Sequence, residues 1–285
     1  RRVLFRSAKD ATAIGSGAKA KARNATAIGS GATADRDDAT ALGYGANASG
    51  WSSFAQGSSA LASGDKSISI GDSSKATADR SIAIGDEAST DNQSASNTST
   101  TKTQTNKQSI AIGPRTQAWG DQSTAIGNNV KSSGNSSVAI GGDDIDRVRG
   151  AYGNLYQNIT GQALPGGYPA TESSGAGSTA IGVSTTASGH FSSALGMTAD
   201  ASGNGAVAIG PTAKSSGEAG VAIGVESRAS AKRTTAVGSV AKAAGENATA
   251  LGAWSNAANY NATAIGSEAQ AIEEYALAMG YQSKA

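Results

Sequence analysis

Glycine recurs at a fixed interval along almost the whole chain, and this interval constrains the fold more than any other feature. Each glycine of the series closes a short Ala-containing motif. Successive members are one 14-residue period apart, except for two periods between Gly85 and Gly113 and an interruption of 41 residues between Gly141 and Gly182. Such a period is typical of a solenoid, in which each repeat buries its apolar side against the next. The series comprises Gly15, Gly29, Gly43, Gly57, Gly71, Gly85, Gly113, Gly127, Gly141, Gly182, Gly196, Gly210, Gly224, Gly238, Gly252, Gly266 and Gly280.

The three residues before each of these glycines alternate as in a β-strand. An aliphatic residue directly precedes the glycine, with Gln56 as the exception, and Ala precedes that residue, with Ser69 as the exception. The position before the Ala is mostly Thr, Val or Ile, as at Thr12. Because residues two apart share a face of a strand, we expect the Thr and Ile side chains to point into the coil. The Ala side chains would then form an outer column that lets neighbouring coils approach.

A second strand follows each glycine after a short gap. Small residues lie three and five positions after it, and the residue between them varies, as in Ala18, Lys19 and Ala20. Another Gly often lies seven positions after the first, as at Gly50. These two glycine positions mark turns that need positive φ or a close backbone approach. The fold class predicted is all-β: a parallel β-roll with two strands in each 14-residue turn.

The composition indicates that one such roll is poorly stabilised alone. Hydrophobic residues make up 38% of the chain, but alanine dominates them and aromatic residues contribute only 5%. One Ile and one Thr or Val per turn bury little area against the entropy of ordering a whole repeat. We therefore expect several rolls to pack side by side as an obligate homo-oligomer, whose number of chains the pattern leaves open.

Composition also excludes several functional classes. The net charge is +1, which gives no electrostatic basis for nucleic-acid binding. The absence of Cys excludes disulfides and thiol chemistry, and no apolar run approaches the length of a membrane-spanning helix. His190 is the only His, so we expect neither catalysis nor a metal site, and no cofactor. The acidic residues Asp143, Asp144 and Asp146 are interpreted as a polar turn, since their spacing does not fit a calcium loop.

The repeated motif resembles the YadA-like head of trimeric autotransporter adhesins. The resemblance rests on Asn-Ala-Thr-Ala-Ile-Gly at 24–29 and 261–266, on Ser-Val-Ala-Ile-Gly at 137–141, and on the 14-residue period. It covers about residues 11–285 apart from two interruptions. It implies a left-handed roll, a homotrimer, and exposure on the outer membrane of a Gram-negative bacterium. It also implies adhesion to host extracellular matrix, cells or abiotic surfaces. The family's stalk and membrane anchor are not recognisable here, so we interpret the chain as a fragment.

The interruptions divide the chain into predicted segments. Residues 1–10 form a leader outside the repeat, of which 1–7 are interpreted as non-native. Residues 11–141 form head repeats with a polar interruption at 91–108, where Ser99 takes the glycine position. That interruption is a loop or a degenerate turn. Residues 142–177 are an inserted loop or hairpin containing Tyr and Pro, and head repeats resume over 178–285.

Candidate ligand-binding residues lie in the insertion and on one turn edge. Tyr and Arg are favoured at recognition hot spots, and long loops on rigid scaffolds often carry function. The alternative is that the insertion forms a small core against a neighbouring chain, and that the edge aromatics merely cover a turn. The candidates are Arg147, Arg149, Tyr152, Tyr156 and Tyr168 in the insertion, with Trp51, His190 and Tyr260 eight residues after a repeat glycine.

Three other functions compete with adhesion. An ice-binding solenoid would use the recurring Thr, but Ile68, Val138 and Phe54 also take that position, which is typical of an interior site. A structural spacer of a surface or phage fibre would need only the repeat. An enzyme on a β-helix would need clustered catalytic residues that the chain does not suggest. Isoleucines that faced solvent would argue against the adhesin assignment.

Overall fold

A computed structural model describes residues 8–90 and 108–285. The chain divides into two compact units, the first ending at Ser136 and the second running from Ser137 to Ala285. Each unit is a stack of 14-residue rungs, where a rung is one turn of the coil with its two short strands. The N-terminal leader residues 1–7 and most of the predicted polar interruption, including Ser99, lie outside the described residues.

The first unit consists of short strands. Those of one sheet are three or four residues long, and those of the other sheet are two residues long. They are β1 (Thr12–Ile14), β2 (Lys19–Ala20), β3 (Thr26–Ile28), β4 (Thr33–Ala34), β5 (Thr40–Leu42), β6 (Asn47–Ala48), β7 (Phe54–Gln56), β8 (Leu61–Ala62), β9 (Ile68–Ile70), β10 (Lys75–Ala76), β11 (Ile82–Ile84), β12 (Ile110–Ile112), β13 (Gln117–Ala118), β14 (Thr124–Gly127) and β15 (Lys131–Ser132).

The second unit repeats this plan and adds a helix. Its elements are β16 (Val138–Gly142), α1 (Ile145–Thr160), β17 (Glu172–Ser173), β18 (Thr179–Val183), β19 (Thr186–Ala187), β20 (Ser193–Leu195), β21 (Asp200–Ala201), β22 (Val207–Ile209), β23 (Lys214–Ser215), β24 (Val221–Ile223), β25 (Arg228–Ala229), β26 (Thr235–Val237), β27 (Lys242–Ala243), β28 (Thr249–Leu251), β29 (Asn256–Ala257), β30 (Thr263–Ile265), β31 (Gln270–Ala271) and β32 (Leu277–Met279).

Strands pair in parallel between successive rungs, in the register that the sequence period sets. Thr12 lies opposite Thr26, and Ile14 lies opposite Ile28. The backbone N–H of Gly29 donates to the carbonyl of Ile14 at 2.8 Å. Where the glycine interval doubles, β11 pairs directly with β12. The all-β fold predicted from the period is therefore confirmed as a parallel β-solenoid.

Alanine fills the interior of the coil, and this finding corrects the predicted orientation of the strands. Ala13 and Ala27 are fully buried, whereas Ile14 keeps 44% of its surface exposed within the chain. So short a rung brings its two strands so close that methyl and hydroxymethyl groups fill the space between them. The predicted outer column of Ala is thus the core, and Thr and Ile form the outer face of the sheet.

Several interior serines satisfy their hydroxyl groups on nearby backbone or on another serine, whereas the hydroxyls of Ser123 and Ser215 have no partner. Ser53 takes the place of Ala39 one rung on, and its hydroxyl donates to the carbonyl of Gly50 at 2.8 Å. Ser69 and Ser74 share a hydrogen bond of 2.7 Å across the interior. A buried hydroxyl with a partner costs little free energy, so Ser can replace Ala inside the coil.

Both glycine positions permit the rungs to stack, as predicted. Gly43 has φ of +133°, and a Cβ placed there would lie 2.4 Å from the carbonyl oxygen of Gly57. Gly50 has no positive φ, but a Cβ there would lie 2.0 Å from the carbonyl oxygen of Gly64. The first position therefore needs glycine for conformation and space, and the second for space alone.

A second kind of turn residue tolerates almost any side chain. Non-glycine residues with φ between 52° and 63° recur at the two edges of the coil, including Ser59, Arg80, Val240 and Trp254. Most of them are exposed or half-buried, and Val240, Glu226 and Ser184 are buried. The left-handed conformation costs each residue roughly 1–2 kcal/mol, which the neighbouring ladder hydrogen bonds must offset.

The insertion in the second unit forms a helix, where the sequence predicted a loop or hairpin. The Asp144 side chain caps the start of α1 by accepting from the N–H of Arg147 at 3.2 Å. Gly161 ends the helix in the left-handed conformation, with φ of 74°. Periodicity at 3.6 residues per turn is hard to recognise in this segment, because two glycines interrupt the helical sequence.

Candidate interaction surfaces

Tyr156 fixes α1 to the solenoid. Its ring is buried, and its hydroxyl lies 2.5 Å from the Thr212 hydroxyl and 3.4 Å from a carboxylate oxygen of Glu226. Burial raises the pKa of Tyr156 above its ordinary value, and the Glu226 carboxylate raises it further, while the Thr212 hydrogen bond lowers it. Arg228 pairs with the other oxygen of the nearly buried Glu226 at 3.1 Å. The helix is therefore held across two adjacent rungs.

The segment that returns from α1 to β17 is held along one flank of the helix. The Asp146 carboxylate accepts from the N–H of Gly167 at 3.0 Å and pairs with Arg149 at 3.1 Å. The Ser184 hydroxyl donates to the carbonyl of Pro169 at 2.6 Å. These contacts fix the return segment to the first turn of α1 and to the turn that follows β18.

The five candidates in the insertion differ in accessibility. Arg147, Tyr152 and Tyr168 are exposed, with 62% and 63% of the surface of the two tyrosines open to solvent. Arg149 is exposed but paired with Asp146. Tyr156 is buried against its own chain, where its hydroxyl contacts Thr212 and Glu226. The remaining four stay candidates for ligand contact.

Trp51 lies in the first unit, apart from the insertion. The Arg36 guanidinium lies over its ring, 5.6 Å from the centroid. The backbone N–H of Trp51 donates to the Asp65 carboxylate of the next rung at 2.9 Å. The indole remains about half exposed, so it is available as a contact point.

His190 and Tyr260 lie on one turn edge of the second unit, separated by five 14-residue intervals. His190 Nδ1 accepts from the backbone N–H of Ala176 at 3.1 Å, so Nδ1 is already engaged in linking two rungs. Tyr260 packs edge-to-face on Tyr275, with centroids 5.6 Å apart. These two residues therefore do not form a single site.

An exposed aliphatic column is the surface that the sequence analysis missed, because it placed these residues inside. The column consists of the residues that precede the repeat glycines. Alternation along a strand shows that two sets of side chains face opposite ways but does not show which set is inside. In the second unit the column contains Ile140, Ile181, Leu195, Ile209, Ile223, Val237, Leu251, Ile265 and Met279, none of them buried within the chain.

The same correction removes one argument against ice binding. Thr12 and its equivalents were predicted to be interior. They lie instead on the outer face, beside the aliphatic column. The face that they share with Ile68, Val138 and Phe54 is apolar and mixed in shape. It is suited to packing against protein rather than to presenting a regular array of hydroxyls.

Among residues 8–90 and 108–285, no group of three or more His, Asp or Glu is placed to hold a metal ion. Within the same ranges, no helix is both long and apolar enough to cross a bilayer.

Taken together, a parallel solenoid with an alanine core and an aliphatic outer column defines a repeat protein built for contact through its surfaces. The family model of the YadA head domain repeat (2 copies) matches more than half of the chain, so the chain belongs to the YadA head family. The matches cover residues 7–32, 34–60, 48–72, 62–88, 105–129, 173–199, 201–227, 215–241, 229–255 and 243–269. No curated protein sequence matches the chain.

Membership confirms the resemblance and identifies the chain as the head of a trimeric autotransporter adhesin. The family and the solenoid fold are typical of non-enzymatic adhesins that act outside the cell. The expectation that solvent-facing isoleucines would argue against this assignment was wrong. It assumed that each roll buries its own isoleucines, whereas the single roll buries alanine and leaves them exposed.

Proposed function

We propose that this head assembles as a homotrimer and attaches a Gram-negative bacterium to host extracellular matrix, host cells or abiotic surfaces. The exposed aliphatic column supports the trimer. Ile181 and Ile223 each keep 36% of their surface open in the single chain, and Leu195 keeps 48%. Regularly spaced aliphatic residues on one face are stabilised when another surface covers them.

The attachment itself is proposed to be multivalent. A repeat head presents the same kinds of edge residue many times, and three copies multiply the number of contacts. Weak contacts that act together exceed the affinity of any single one without requiring a deep pocket. The proposed contact points are exposed Tyr, Trp and Arg residues outside the apolar side of the helix: Trp51, Arg147, Arg149, Tyr168 and Tyr260.

Light scattering after size-exclusion chromatography tests the trimer. We expect the mass of three chains for the wild type. Ile223→Asp places a charge in the aliphatic column and should yield lower oligomers or monomers. Lys242→Asp, on the exposed face of β27, is the control and should remain trimeric. A monomeric wild type would refute the proposed assembly.

Binding of the purified head to collagen, fibronectin, laminin and bare plastic tests adhesion. Saturable binding to at least one of these surfaces supports the proposal. Binding to none of them, by a head shown to be trimeric, would contradict it. An ice-recrystallisation assay on the same sample would reveal the ice-binding alternative.

A further inference from the structure

The helix α1 carries a second apolar side that its own chain leaves open. Val148, Tyr152, Leu155 and Ile159 follow one another at intervals of four, three and four residues, which places them along one side of a helix. We call them the α1 stripe. Leu155 is 58% exposed and Ile159 42% exposed, while Val148 is half-buried.

The contacts that hold α1 on its own chain use a different side. Ile145, Tyr156 and Thr160 are the buried residues of the helix. At 100° per residue, the mean direction of these three residues around the helix axis differs by roughly 70–80° from that of the α1 stripe. Near the C-terminal end, Gly161 adjoins Trp254, since a Cβ at this position would lie 3.7 Å from the indole. The helix is thus fixed at both ends without covering the stripe.

The helix α1 lies over the turn edge that adjoins the aliphatic column. The return segment occupies the flank of Asp146 and Arg149 on its way to β17. At 100° per residue, the stripe lies on the flank of α1 away from Asp146, which these contacts leave open. Tyr156 contacts Thr212, only three residues after the column residue Ile209.

The dimensions of α1 match the column. Its 16 residues span about 24 Å at 1.5 Å per residue. Five 14-residue intervals separate Ser184 from Trp254, and five rungs at roughly 4.8 Å also span about 24 Å. The helix α1 therefore extends along the edge beside the column over several rungs, with its stripe left open.

We propose that the α1 stripe packs against a second copy of this chain, so that the insertion becomes an intersubunit strap over the edge of the head. The helix α1 has one apolar side that packs on its own chain and a second, the α1 stripe, on an adjacent flank. Such a helix is stabilised when other protein surfaces cover both sides. A second copy is the occupant because α1 lies beside the aliphatic column, which the proposed trimer covers. This inference rests on the proposed assembly.

Photocrosslinking on the full chain tests the strap. Benzoylphenylalanine replaces Leu155 in one sample and, as a control, Gln157 in another, which is exposed on the far side of α1. After irradiation, we expect covalent chain dimers from the Leu155 sample and none from the Gln157 sample. Mass spectrometry should place the linked peptide in the second unit of the other chain.

Scattering on the unirradiated samples separates the two proposals. A trimer whose Leu155 probe forms only intrachain adducts, or none, overturns the strap and leaves the assembly intact. A monomeric wild type overturns both. As a second test, L155S/I159S should lower the melting temperature of the trimer, and Q157S/N158S should not. Equal melting temperatures for the two double variants would contradict the strap.

Discussion

The stacked glycines should be the least replaceable residues of the solenoid, and two neighbours in one turn permit a matched test. Gly43 and Gly45 both have positive φ, +133° and +62°. A Cβ at Gly43 would lie 2.4 Å from the carbonyl oxygen of Gly57, whereas at Gly45 its nearest neighbour is the Ser59 hydroxyl at 3.9 Å. The two substitutions therefore differ in the clash with the next rung and in backbone conformation, since +62° is a left-handed value that Ser59 also adopts and +133° is not.

The expected magnitudes follow from this geometry. For Gly43→Ala, the disfavoured backbone costs about 1–3 kcal/mol, and forcing the Cβ against backbone costs about 1–3 kcal/mol more. For Gly45→Ala, only the left-handed conformation costs free energy, about 1 kcal/mol. Ser59 already occupies the position equivalent to Gly45 one rung on, with φ of 55°.

Guanidinium unfolding followed by circular dichroism measures the difference in stability between the two variants. Hydrogen exchange should show whether the loss centres on the rungs around Gly43 and Gly57, because each rung contacts only its neighbours. Equal stability of Gly43→Ala and Gly45→Ala would refute the argument that backbone contact between rungs fixes this glycine.

Three further predictions concern the interior and the helix. Ala41→Val overfills the interior and should destabilise the unit by about 1–3 kcal/mol. Ala39→Ser should change the stability of the unit by less than about 1 kcal/mol, because its hydroxyl can reach a backbone carbonyl as that of Ser53 does. Comparable losses for the two variants in denaturant unfolding would contradict this prediction. Gly150→Ala should stabilise α1 by about 0.5–1 kcal/mol, since a Cβ there meets nothing within 4 Å, and an unchanged or lower melting temperature would count against it. Burial raises the pKa of Tyr156 above 10.0, so the contribution of this tyrosine to stability should be complete below pH 10 and decline as the pH rises further. Tyr156→Phe should remove this part of the pH dependence. An identical alkaline stability profile for the wild type and the variant would contradict the prediction.

The sequence predicted the period, the parallel stacking and the turns, because each rests on spacing alone. The sequence-based prediction was wrong about which face of each strand lies inside the coil. Ile14 is more hydrophobic than Ala13, and burial by hydrophobicity would place Ile in the core. The width of the coil decides otherwise, since two strands joined within one short rung leave room only for small side chains.

The insertion was harder to predict for a different reason. Gly150 and Gly153 lower the helical propensity of 145–160, and the contact between Tyr156 and Thr212 joins residues 56 apart. A contact between residues so far apart in the chain cannot be predicted from a pattern of neighbouring residues. Candidate residues chosen by type therefore included both Tyr152, which is displayed, and Tyr156, which is an anchor.

The strict register of the rungs also bears on how such a head changes over generations. Because stacking depends on glycine meeting glycine once in every rung, adding or deleting one whole rung leaves every remaining contact in place. Unequal recombination in steps of one repeat length would lengthen or shorten a unit by one layer while preserving its surfaces. A shift that is not a whole number of repeats would break the register in which each repeat glycine lies against the next.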